Sequence, residues 1–345
     1  MQKKILLLLT TLVVAFVFCG AASAATVKTN HINTSKISNV GTAMYDQRDP
    51  AIDGTRIVWE QRSSSGYNNV YYKNLATGHS GRVLPAATDQ YHADISGTRI
   101  VWTQMTAKGA VIYYKNLATG YSGRLFTTSM GKQTHASIDG TRVVWIQDTN
   151  SQDYVIYYKN FATGYVGKVK SSSYRQFNPE ISGTRVVWRQ YELNGHHVMY
   201  VKNMATGAYG RLLTSTQSQG VAAIDGTRVI WTQYDSYGHE SIYYKNLATG
   251  SYYRVIQTSD YQNIYSPAIS GTRIVWMQED SFGHQSIYYK NLATGTYFRI
   301  LPSTQNQGFP RISGTRIVWQ KQDSGSNYSI YILNLATGQS GRLTP

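Results

Sequence analysis

Two histidines, His92 and His135, stand 43 residues apart, and Asp49 stands 43 residues before the first of them. Asp94 follows His92 by two positions, and Asn178 and Glu180 continue both series one further step along the chain. Imidazole with carboxylate is a donor set that suits zinc, manganese or nickel. Gathered at one spot, His92, His135, Asp49 and Asp94 would make a divalent-metal site. The plainer alternative is a polar channel with hydrogen-bonded histidines, because an unpatterned histidine cluster is a weak motif. In either case the fold must bring residues 43 apart together.

A repeat can do this. The octapeptide Ile52-Asp-Gly-Thr-Arg-Ile-Val-Trp59 has counterparts ending at Trp102, Trp145, Trp188, Trp231, Trp276 and Trp319, and these are all the tryptophans of the chain. The glycines at 54, 97, 140, 183, 226, 271 and 314 are 43 residues apart, except for one gap of 45. A second phrase of the type Tyr-Tyr-Lys-Asn-Leu-Ala-Thr-Gly follows each copy and ends at Gly78 in the first. A period of about 40–45 residues is that of four-stranded propeller blades. Gly and Tyr are abundant, and no helical apolar period runs through the repeats. The predicted fold is therefore all-β, a seven-bladed β-propeller of four-stranded antiparallel blades.

In the first unit the strands are expected near 49–53, 56–61, 69–73 and 81–84. Asp53-Gly54-Thr55 and Ala76-Thr77-Gly78 make tight turns, where Gly takes positive φ. The first strand of each blade lines the central channel. One series of channel positions reads Asp49, His92, His135, Asn178, Val221, Ser266, Phe309. Two residues further on the series is Ala51, Asp94, Ser137, Glu180, Ala223, Ala268, Arg311. The candidate site at the channel mouth is Asp49, His92, Asp94, His135, Asn178, Glu180 and Arg311.

Loops between second and third strands vary from blade to blade, whereas the two turns of the opposite face barely change. A rigid scaffold with variable loops is how binding faces are built. Tyr67, His196, Tyr237, His239, Phe282 and His284 are the candidate binding residues of the variable loops.

Cations repeat as well. Arg56, Lys73 and Arg82 begin three series that hold 20 of the 33 basic residues. All are expected near the uniform face, where a ring of like charge would hold a polyanion. Alternatively they solvate outer strands and discourage edge pairing.

The formal net charge is +15, from 33 Lys and Arg against 18 Asp and Glu. It favours anionic partners, and for an exported chain these are envelope polymers rather than nucleic acid. Residues 1–24 have the basic start, the apolar run Ile5–Phe18 and the small-residue Ala22-Ser23-Ala24 of a signal peptide. Cys19 is the only cysteine and lies within that leader, so the mature chain has no disulfide and no thiol nucleophile. No other long apolar segment occurs, and a monomer without a transmembrane segment is expected. Residues 25–47 form an N-terminal segment and a candidate ring-closing strand, in competition with the C-terminal Gly341–Thr344. The propeller spans 48–345. There is no phosphate-binding glycine loop, nucleophile elbow, His-Glu-x-x-His or defensible triad.

Asp-Gly-Thr-Arg-Ile-Val-Trp followed by Val-Tyr-Tyr-Lys-Asn-Leu-Ala-Thr-Gly resembles the WD40-like repeat of TolB-type β-propellers, over residues 48–345. Pro50, Pro179, Pro267 and Pro310 stand where that family often has proline. The chain departs from the pattern by using Ser for Asp before Gly in four of seven copies. The resemblance implies a fold more than an activity, since the family includes periplasmic scaffolds, cell-surface modules and a few enzymes. Some TolB-like polysaccharide lyases hold a metal with channel histidines, but no matching motif occurs here. The expected function is a secreted or cell-surface binding scaffold, non-catalytic and without cofactor, for a protein or an anionic envelope polysaccharide. The alternative is a metal-dependent, polysaccharide lyase-like enzyme with its histidine site at the channel mouth.

Overall fold

The computed structural model describes residues 46–126, 131–149, 154–193, 195–258, 263–323 and 325–343, all within the compact unit His31–Pro345. The expected leader, residues 1–24, and all of segment 25–47 except Asp46 and Gln47 lie outside the described residues. The first repeat folds into β1 (Gln47–Asp53), β2 (Arg56–Arg62), β3 (Asn68–Asn74) and β4 (Ser80–Arg82). These pair antiparallel in chain order, and six further four-stranded sheets repeat the arrangement. In the last sheet the outer strand is Ser340–Arg342, so of the two candidates the C-terminal one occupies that place.

The octapeptide explains the packing. Ile57, Val58 and Trp59 are consecutive in β2, and all three are fully buried. Alternate side chains of a strand point to opposite faces. Val58 therefore packs with Trp102 of the second blade, while Ile57 and Trp59 pack with Val318, Ile330 and Leu343 of the seventh. The contact between blades seven and one closes the ring. Each indole also stacks on the tyrosine opposite it on the third strand, as Trp59 does on Tyr71 at 5.9 Å.

Hydrogen bonds repeat between blades too. On the uniform face the Gly97 N–H donates to Asp53 Oδ2 at 2.6 Å, and the Gly140 N–H donates to Ser96 Oγ at 2.9 Å. The same bond joins the turn of blade seven to that of blade one, from the Gly54 N–H to Ser313 Oγ. Ser and Asp interchange in the sequence because either oxygen accepts this bond. Nearer the opposite face, Gln90 Oε1 accepts the Val70 N–H of the preceding blade at 2.8 Å. Gln133, Gln176, Gln219, Gln307 and Gln47 do the same, the last bridging to Ile330.

Candidate functional site

The first strand of every blade has a break in register. At six of these breaks a non-glycine residue takes positive φ: Asp49, His92, His135, Asn178, Ser266 and Phe309, all between 47° and 52°. Val221 holds the seventh position without positive φ, as expected of a branched Cβ. A bulge re-aims a side chain. The variable series read from sequence thus sits on strained backbone at the channel mouth, and such strain gathers at functional sites.

All seven candidate channel residues line one cavity of about 440 Å³. The His92 and His135 rings stack with centroids 4.3 Å apart and planes at 23°. Burial, then the neighbouring His92, lowers the His135 imidazole to about 4, against an upward pull from Asp49. His135 is therefore a neutral base at neutral pH. One layer deeper, Ser137 Oγ donates to Glu180 Oε2 at 3.1 Å. Burial, then the Asp94 charge, raises Glu180 to about 7, opposed by Arg311 and Ser137. Asp94 accepts the N–H groups of Ile138 and Ile95, both at 2.9 Å. Burial still raises it to about 6, against these bonds and the Arg311 charge. A neutral base, two carboxyl groups titrating near neutrality and a guanidinium thus share one lumen. Acid–base assignments arise where environments push titratable groups apart in this way.

The loop residues do not join this site, and none of the six lines the channel cavity. His239 Nδ1 lies 3.1 Å from Asp235 Oδ2, and His284 Nδ1 lies 3.6 Å from Asp280 Oδ2, each within its own loop. His196 Nδ1 contacts Ser218 Oγ at 3.3 Å. Tyr237 and Phe282 project into solvent, each 84% exposed, while Tyr67 is 39% exposed.

The expected ring of cations does not form as a unit. Lys115 Nζ donates to the Val83 carbonyl of the preceding blade's outer segment at 2.6 Å. Lys159, Lys202, Lys245 and Lys290 make the same bond, so this series clamps blade to blade. Arg211 pairs with Glu192 at 2.6 Å and Arg342 with Asp323 at 3.7 Å, both acids belonging to second-to-third-strand loops. Those arginines reach away from the uniform face.

Glu60 and Gln320 escaped the sequence reading. Each follows a tryptophan on a second strand and reaches a bulge of the next blade. The available signal was that Glu60 is the only acid at that position in seven repeats.

No protein-family model matches the chain, and no curated protein matches it. Solved structures do. The β-propeller domain of the Trilobed protease from Pyrococcus furiosus superposes with a TM-score of 0.68 at 11% identity, covering 87% of this chain and 98% of that one. An oligogalacturonate lyase from Vibrio parahaemolyticus gives 0.66 at 13% identity, covering 85% and 91%. An oligogalacturonate lyase in complex with manganese gives 0.62 at 13%, covering 81% and 85%. Puromycin hydrolase gives 0.66 at 12% identity, and the match spans only 54% of its length. The fold is thus a seven-bladed β-propeller. The expectation of a non-catalytic scaffold needs correction. Solved propellers of this shape include a domain of a protease and whole oligogalacturonate lyases, and the titratable groups converge in the channel rather than on the loops. The lyase-like alternative agrees better with both findings.

The donor types at the channel mouth, two imidazoles and Asp49, are those a divalent ion takes. As arranged they do not fit one. Among the described residues no three His, Cys, Asp or Glu side chains converge as a ligand set, and the two imidazoles meet face to face.

Proposed function

We propose that the protein is an exported lyase acting on acidic oligosaccharides, with its reaction at the channel mouth. The observation that carries this is the shared cavity: neutral His135 stacked on His92, with Arg311, Asp94 and Glu180 beneath. The similar oligogalacturonate lyases act, by their names, on a uronate chain. The net charge of +15 favours such a polyanion. The leader at 1–24 supports export to the cell envelope or beyond, and the repeat pattern supports kinship with TolB-type propellers.

Elimination across a uronate needs three services from the chain. Arg311 pairs with the sugar carboxylate. His135, neutral above about pH 4, takes the proton from the carbon beside that carboxylate. The electrons of that C–H bond form a C=C bond as the glycosidic C–O bond breaks. Glu180, protonated below about pH 7, returns a proton to the leaving oxygen. General acid–base groups of this kind contribute roughly 10²–10⁴-fold each. A divalent ion would require His92 and His135 to leave their stack, so no step is assigned to one.

Incubating the mature protein with oligogalacturonate and following the unsaturated product tests the reading, in parallel arms with manganese and with a chelator. Turnover rising through about pH 4 and falling past about pH 7 supports it. Absence of the unsaturated product in every arm overturns it. Loss of turnover with the chelator, restored by manganese, would assign a metal to the histidines.

A further inference from the structure

The bulges at the channel mouth hold non-glycine residues in the left-handed region, a conformation that such residues rarely adopt. At two adjacent bulges a group that fixes it is visible. Glu60 Oε1 accepts the His92 N–H at 2.7 Å, and Gln320 Oε1 accepts the Asp49 N–H at 3.1 Å. Both side chains come from the same place, the residue after the tryptophan on the second strand of the preceding blade. Both are at least nine-tenths buried, and neither lines the channel cavity. The equivalent residues elsewhere are Thr103, Ile146, Arg189, Thr232 and Met277. Ile146 has no acceptor, the Met277 thioether is only a weak one, and arginine only donates. The Thr103 hydroxyl is buried without a partner, and Thr232 bonds to Glu240.

We propose that Glu60 and Gln320 are positioning residues that lock the backbones of His92 and Asp49, and through His92 the stack with His135. Both act from behind the wall of the cavity. The inference rests on the channel being the reactive site.

Three variants test it: Glu60→Thr, which imports the short side chain of blade two, Glu60→Gln, which keeps an acceptor of the same length, and Gln320→Met, which imports the residue of blade six. Two readouts are taken on the full mature chain. One is the ring-current shift of the His92 and His135 imidazole resonances by NMR, and the other is kcat and KM on oligogalacturonate. Glu60→Thr is expected to shift the imidazole resonances and lower kcat about 10–100-fold, with KM within about twofold, since a displaced group loses about that much. Glu60→Gln restores both. Gln320→Met lowers kcat in the same range and keeps the test open if Glu60→Thr does not fold. Imidazole resonances and kcat unchanged in Glu60→Thr and Gln320→Met overturn the proposal, as does Glu60→Gln behaving like Glu60→Thr. If the wild type shows no turnover, the channel reading fails, yet the imidazole resonances still decide whether Glu60 holds the stack.

Discussion

The two ends of the channel are built from the same strands to opposite ends. At the uniform face, the Ser/Asp-Gly-Thr turn of each blade hands a backbone N–H to the turn of the blade before, and chemically different acceptors, Asp53 and Ser96, serve equally. At the variable face the same strands begin with bulges whose residues change from blade to blade, from Asp49 through the two histidines to Phe309. The first end tolerates substitution because only an acceptor is needed. The second is specific because strain, charge and ring stacking meet there. Repetition builds the disc, and departure from repetition marks the site.

The largest break in that contrast comes from the shared core. Trp102→Ala removes an indole that is fully buried between blades one and two, and is expected to cost about 3–5 kcal/mol. A denaturant melt of the variant checks this. Next comes the channel. Arg311→Ala and His135→Ala are expected to lower turnover at least about 100-fold while the melting temperature holds within a few degrees. An equal loss of stability would mean that the mouth is scaffold after all.

The pH dependence of stability sharpens the comparison further. Burial raises the Glu60 carboxyl from 4.5 to about 8, with a contribution from Asp49. A raised folded-state value means that this group's stabilisation is full below pH 4.5 and is lost as pH rises through about 8. Glu60→Gln should flatten that fall, on the order of a few kcal/mol, in melts between pH 5 and pH 8.5. At the uniform face Ser96→Ala leaves the Gly140 N–H without its acceptor and should cost only about 0.5–1.5 kcal/mol, with turnover unchanged. A larger effect, or a change in activity, would erase the difference between the two ends.

How much could be read beforehand depends on what each residue does. Trp59 and its six counterparts announced the blades, because seven copies of one apolar strand, 43 residues apart except for one gap of 45, have few other ways to be buried. Asp49, His92, His135 and Arg311 could be placed on the channel by register alone. The stacking of the two imidazoles, the strain at the bulges and the lowered protonation of His135 could not, since all three depend on which side chains the neighbouring blade supplies. The lysine series was misread for the same reason. Lys115 carries the same charge whether it faces solvent or, as here, the Val83 carbonyl.

Periodicity by itself therefore determined the fold class, the blade count and the face on which variation lies, because hydrophobic burial at a fixed repeat is a property of the chain. Tertiary structure alone decided that the channel groups converge while the loop groups do not, and that Glu60 and Gln320 stand behind them. Those facts are contacts between residues of different blades, and the distance between two such residues is set only when the ring is closed.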